Sequence, residues 1–205
     1  MEIIVLGVGD AFTAKHVNTS FLLRHEGFTL AIDCPDRYRG VLSAASEKSG
    51  KELKLEQVDA FLITHLHGDH VNGLESVAFY RRFRENRKVN VWGQKEVVTN
   101  LWDHRLKVAM EPLFDGEKWG KNRSDQYFDF GELNVGGKTT IGPFTVEARL
   151  TLHHLPATAL RITAEGKSFG YSCDTRYDPG LIEFLSSADV IFHETNVGPG
   201  HTAYE

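Results

Sequence analysis

Cysteine is scarce: Cys34 and Cys173 are the only two in 205 residues. Two thiols cannot build the disulfide framework of a small secreted domain, and they fit a reducing compartment as lone side chains. Long apolar runs are also missing. Even "IIVLGV" at the start falls far short of the roughly 20 residues that span a bilayer, so no membrane helix is expected. The opening "MEIIVLGVGD" has no positively charged lead and no small-residue cleavage site, so it reads as a first strand and points to the cytoplasm. An excess of positive charge is lacking too. A net charge of -5 argues against broad electrostatic capture of nucleic acid. The one local basic run, "RRFRENRK" at 81–88, reads as a solvated helix face. No low-complexity tract, linker or short repeat interrupts the chain, and its length suits one domain with a substantial core.

What is present is an alternation of short strand-like and helical segments, an α/β pattern. Strands rich in β-branched or aromatic residues are expected at 2–6, 20–24, 29–32, 60–64, 88–92, 145–151, 159–164, 169–172 and 190–193. Helices are expected at 36–49, 73–86, 95–103 and 179–187, the last started by an Asp178 cap with Pro179 where a missing N–H does no harm. The stretch from His104 to Phe130 is the least regular, and it reads as a long surface excursion or a packed loop.

Directly after the apolar "AFLI" comes "THLHGDH", three histidines and an aspartate within residues 64–70. If the chain leaves its strand extended, alternate residues His65 and His67 point the same way and can reach one ion. Gly68 then lets the backbone turn, and Asp69 with His70 offers a carboxylate and an imidazole to a second ion, a donor mixture suited to zinc, manganese or iron. A zinc finger fits poorly, since no cysteine pair is present. "GVGDAF" has only the first two glycines of a dinucleotide loop, Gly7 and Gly9, with Phe12 in place of the third, so it reads as a tight turn at the rim of the site. His16 beyond it reads as a solvated loop residue.

"HLHGDH" resembles the HxHxDH signature of the metallo-β-lactamase-fold hydrolases. The resemblance covers nearly the whole chain, through "VLGVGDAF", "NTSFLL", "LAIDCP", "HHLP", "YSCDT" and "HETN" with "GHT", and it is closest to the ribonuclease Z-like phosphodiesterase branch. It implies a four-layer αβ/βα sandwich with two mixed β-sheets, in a single hydrolase domain over 1–205. It also implies two divalent metal ions, zinc before manganese or iron. His65, His67 and a third histidine would hold the first ion. For that third ligand His153 is chosen over His154, because it lies three residues before Pro156 and adjacent strand residues face opposite ways. Asp69 and His70 would hold the second ion, and Asp174 in "YSCDT" would bridge both. Cys173 beside it reads as a small buried side chain. Glu194 and His201 in "HETNVGPGHT" resemble a carboxylate–imidazole pair that acts on the leaving group. The family supplies a further histidine beyond these segments, so the resemblance implies that the domain lacks its C-terminal closing strand and helix here.

The expected function is hydrolysis by a metal-bridging hydroxide, with Asp69, Glu194 and His201 as catalytic residues and a small-molecule phosphodiester as substrate. Transfer RNA is disfavoured, because only about twenty residues separate His153 from Asp174, where that branch inserts its tRNA-gripping arm. No membrane partner is expected, and a homodimer is compatible. One alternative is lactone or other ester hydrolysis in an apolar pocket built from Trp102, Trp119, Tyr127 and Phe128. Another is a metal- or ligand-binding sensor without catalysis. Di-iron reductases of the fold are disfavoured, since they carry a glutamate where His67 stands.

Overall fold

The computed structural model of the protein describes residues 1–195. Residues Glu2–Glu132 form one compact unit and those from Leu133 onward another. The strands of the first unit are β1 (Glu2–Gly7), β2 (Ser20–His25), β3 (Phe28–Ile32), β4 (Ala60–Leu62), β5 (Val89–Gly93), β6 (Pro112–Phe114), β7 (Trp119–Lys121) and β8 (Phe128–Glu132). Six of them make a mixed sheet in the order β1-β2-β3-β4-β5-β8. The β1-β2-β3 part is antiparallel and β3-β4-β5-β8 is parallel. Parallel strands need crossover connections, and α1 (Tyr38–Ser49) and α3 (Leu74–Tyr80) provide them. The "AFL" of β4 is buried at every position, as expected of an inner strand covered on both faces.

β1, β3, β4 and β5 all run the same way, so their carboxyl ends lie along one sheet edge, where crevices of α/β sheets form. Asp33 leaves β3 there, and Thr64 and the histidine motif leave β4. Glycine is required where this edge is tight: a Cβ on Gly73 would fall 2.2 Å from the Pro35 carbonyl. That approach lets the Cys34 N–H donate to the His70 carbonyl at 2.7 Å and the Gly73 N–H to the Cys34 carbonyl at 2.9 Å. After β1 the chain makes the expected tight turn. The Asp10 side chain accepts the Phe12 N–H at 3.0 Å, and a Cβ on Gly7 would collide with the Asn18 carbonyl at 2.3 Å.

Three expectations need correction in this unit. The segment after His104 is not irregular throughout. The helix begun by α4 (Lys95–Leu101) continues through a π-helical turn at Trp102–Leu106 into α5 (Lys107–Met110), and the hairpin β6–β7 and the sheet strand β8 follow. The run 81–88 is not simply a solvated face either. Arg81 is buried, paired with Glu85 at 2.5 Å and donating to the Val58 carbonyl at 2.6 Å, while the Arg82 guanidinium lies 4.4 Å over the Tyr127 ring. Finally, three of the four aromatics expected to line a pocket are core. Trp102, Tyr127 and Phe128 are buried, with Trp102 stacked on Tyr127 at 5.9 Å, and Trp119 is exposed on its hairpin. Arg81 and Trp102 find partners more than twenty residues away in sequence, which local pattern does not encode.

The second unit holds β9 (Lys138–Ile141), β10 (Phe144–Leu150), β11 (Thr158–Ala164), β12 (Lys167–Tyr171) and β13 (Val190–Phe192) in a second mixed sheet, ordered β13-β12-β11-β10-β9. Only β12–β13 is parallel, and its crossover carries α6 (Pro179–Leu185), whose Leu181 and Leu185 pack on Ala159. β9 was not anticipated: "KTTI" is short and framed by glycines, and it is a strand only because β10 pairs with it. The α6 start signal is realised as expected. Asp178 accepts the Gly180 and Leu181 N–H groups at 2.9 and 3.2 Å, and Arg149 donates to its other oxygen at 2.6 Å. Asp178→Ala should cost about 1 kcal/mol of stability at neutral pH, read as a lower denaturation midpoint. Arg149 and the capped N–H groups hold the Asp178 carboxyl below its ordinary 3.8. Its contribution is therefore present above that pH and lost as pH falls through the depressed value, so the two proteins should converge in acid. Among the described residues no helix is long and apolar enough to cross a membrane.

Candidate metal centre

In the first unit, His65, His67, Asp69 and His70 converge within one loop and the short helix α2 (Gly68–Val71) that follows it. The His65 Nε2 lies 2.9 Å from the His67 Nδ1, and the His65 and His70 ring centroids are 4.1 Å apart. The His70 Nε2 lies 3.3 Å from an Asp69 carboxylate oxygen. Behind them stands a residue that the sequence reading quoted in "LAIDCP" but did not single out, Asp33. Fully buried, it accepts the Thr64 N–H at 2.8 Å, the Thr64 hydroxyl at 3.0 Å, and the His70 Nδ1 proton at 2.7 Å. Burial pushes the Asp33 carboxyl above the ordinary range, while His70 and the Thr64 donors pull it back down. Its backbone is left-handed at φ 61°, a conformation that costs a non-glycine residue about 1–2 kcal/mol and concentrates at functional sites. An aspartate closing an apolar strand was the available signal. Its partners, however, lie more than thirty residues away.

These bonds orient the rings. The single Thr64 hydroxyl proton goes to Asp33, so Thr64 Oγ1 is the acceptor for His65 Nδ1 at 3.1 Å, and His65 Nε2 is turned toward His67. His70 gives its Nδ1 proton to Asp33, which turns its Nε2 toward the Asp69 carboxylate. The imidazole nitrogens of His65, His67 and His70 and the Asp69 carboxylate thus face one another within a few ångströms, as ligands around a cation do. The donor set therefore fits a divalent ion, with Thr64 and Asp33 orienting the ligands from behind as outer partners of metal sites do.

In the second unit, His153 and Asp174 come together at the ends of β10 and β12, with His153 Nε2 3.8 Å from an Asp174 oxygen. The His154 ring lies 4.2 Å from that of His153, and its residue is exposed. Cys173 is buried as anticipated, and its φ of 54° turns the chain just before Asp174. The Thr151 hydroxyl donates to the Asp174 carbonyl at 2.7 Å. Glu194 braces the same loop: its carboxylate accepts the Thr175 N–H at 2.6 Å, and its own N–H donates to Ser172 Oγ at 2.8 Å. His201, its expected partner, lies outside the described residues. His16 is exposed, as expected of a loop residue.

Among solved structures, the chain is similar to the metallo-β-lactamase fold protein YhfI from Bacillus subtilis, with a TM-score of 0.68 and 19% identity over 92% of this chain and 69% of that one. It also matches zinc-bound PqqB from Methylobacterium extorquens, with a TM-score of 0.69 and 13% identity over 95% and 72% of the two chains. The short form of human tRNase Z gives a TM-score of 0.67 and 18% identity over 99% and 81%. The fold is thus the α/β metallo-β-lactamase fold that the motifs imply. In sequence the chain is 32% identical over 199 residues to the Anti-Pycsar protein Apyc1 of Paenibacillus harenae, spanning 95% of this chain and 76% of the relative. It is equally 32% identical over 212 residues to the Apyc1 protein of Paenibacillus sp. (strain J14), spanning all of this chain and 82% of the relative. The family model described as Anti-Pycsar protein Apyc1 matches residues 1–205, and the chain belongs to that family.

Proposed function

We propose that this chain is a metal-dependent hydrolase that cleaves a small, nucleotide-like phosphodiester, cyclic forms included. The observation that carries the reading is the convergence of His65, His67, Asp69 and His70 in one loop after β4, with His65 and His70 oriented from behind by Thr64 and Asp33. In this reading His65, His67 and His153 serve one ion, Asp69 and His70 a second, and Asp174 both. Divalent ions bound there, most readily zinc, supply an acidified water and neutralise charge on the phosphoryl oxygens. The chain does the rest. Asp69 orients the attacking water, and Glu194 fixes the Asp174 loop through the Thr175 N–H. His201 delivers a proton to the leaving oxygen, and an imidazole can do so near neutral pH.

The spacing between His153 and Asp174 favours a small substrate. Most of it is spent on the β11–β12 hairpin, closed by Glu165 and Gly166 alone, both at positive φ. No inserted arm for a tRNA fits in that segment. The lactone reading loses its structural support, since Trp102, Tyr127 and Phe128 are core residues.

The test offers the zinc-loaded protein bis-p-nitrophenyl phosphate, a 3′,5′-cyclic nucleotide and an acyl lactone. Diester cleavage that a chelator abolishes and added metal restores is the expected result. Lactone turnover without diester cleavage would reject the proposal.

A further inference from the structure

Arg105 projects from the π-helical turn Trp102–Leu106, an irregularity of the kind often found at functional sites. Its Nη1 donates to the Leu66 carbonyl at 3.0 Å, and its Nη2 donates to the Asn72 side-chain oxygen. Leu66 is the residue between His65 and His67. Asn72 lies two residues past His70, and its backbone N–H closes on the Gly68 carbonyl at 2.9 Å. One guanidinium therefore ties the front of the histidine motif to its back. The Asn72 amide passes the connection on to Asp36 at 3.3 Å, in the segment that follows Asp33. α2, which carries Asp69 and His70, has only four residues, too few to hold its shape without tertiary support. The Arg105 side chain is half-buried, and the Asp36 and Asp69 carboxylates both act on its charge.

The competing reading is an arginine that merely fastens a surface loop. It does not account for the choice of acceptor, a backbone carbonyl flanked on both sides by proposed metal ligands. We propose that Arg105 is a positioning residue for the metal-binding loop: it spans Leu66 and Asn72 so that His65, His67 and Asp69 are already presented to an ion before the ion arrives. The proposal rests on the metal-hydrolase reading above. It works against simple electrostatics, since a cation beside a cation site repels the ion. The geometric gain must exceed that repulsion. Lysine cannot substitute, because a point charge does not hold two acceptors in the fixed plane of a guanidinium.

Arg105→Lys and Arg105→Gln are to be compared with the unsubstituted protein by zinc competition against a chromophoric chelator, by amide hydrogen exchange of the metal-free protein, and by diester kinetics. Lys107→Gln, on the next helix, serves as the control. Both Arg105 variants should bind zinc about 10- to 100-fold more weakly, the usual effect of losing an outer partner of a metal site. Exchange should quicken within residues 66–72, KM for the diester should hold, and kcat should recover toward the unsubstituted value as zinc is raised. Millimolar guanidinium should restore part of the zinc affinity of Arg105→Gln. Zinc affinity that is unchanged or tighter in a folded variant overturns the proposal, as does faster exchange spread evenly over residues 2–132. If the unsubstituted protein binds no zinc, the hydrolase reading falls and this assignment with it. If that protein binds zinc and the Arg105 variants bind it as tightly, the assignment alone falls.

Discussion

Asp174→Ala is expected to abolish detectable phosphodiester cleavage and to remove metal from the protein, with kcat/KM falling about 10³-fold or more. The size follows from the Lewis-acid contribution at stake, several kcal/mol of charge stabilisation in the transition state, at about 1.4 kcal/mol per tenfold in rate. In the proposed centre Asp174 is the one carboxylate shared by both ions, so its loss weakens two sites together. Folding should survive. The side chain is about one-third exposed, and the backbone around it is held by Thr151, Thr175 and Glu194. Elemental analysis beside a kinetic assay checks both halves of the expectation. Unaltered hydrolysis with full metal content in the variant would show that the site has been assigned to the wrong residues.

Asp33→Ala should be the most destabilising change at the centre. It strips the acceptor from three buried donors, the Thr64 N–H, the Thr64 hydroxyl and the His70 Nδ1–H. Breaking a buried charged network in this way costs about 3–5 kcal/mol. For a chain of this length that lowers Tm by about 6–20 °C. Asp33→Asn separates the roles. Its shape is kept and one oxygen still accepts, so the loss of Tm should be smaller. The amide nitrogen or the weaker neutral acceptor no longer fixes His70 through its Nδ1, so the direction in which Nε2 points is no longer assured. Zinc affinity should therefore drop about 10- to 100-fold in the asparagine variant despite its milder effect on folding. Thermal unfolding and chelator competition on the two variants give the comparison. An asparagine variant that binds zinc as tightly as the unsubstituted protein would remove Asp33 from the account of the site.

Much of the fold was readable locally. β2, β3, β10 and β11 lie within a residue or two of where alternation and β-branched composition put them, and the Asp178–Pro179 start signal marks the beginning of α6. Where the reading failed, the deciding partner was distant in sequence. β8 and β9 become strands by pairing with β5 and β10. Arg81 looked like part of a solvated face, but carbonyls at Leu55 and Val58 draw it into the interior. Tyr127 and Trp102 looked like pocket walls, and instead they stack on each other in the core.

The same division runs through the centre. The chemical inventory, three histidines and an aspartate set at the end of an apolar strand, is fixed by covalent order, because the alternation of an extended chain and one following turn bring those groups together within a single loop. Which way the ring nitrogens are turned is not fixed that way. It depends on Asp33 reaching Thr64 and His70 through the parallel pairing of β3 with β4, and on Arg105 arriving from a helix beyond β5. Ring orientation follows hydrogen-bond partners, and only the folded chain chooses those.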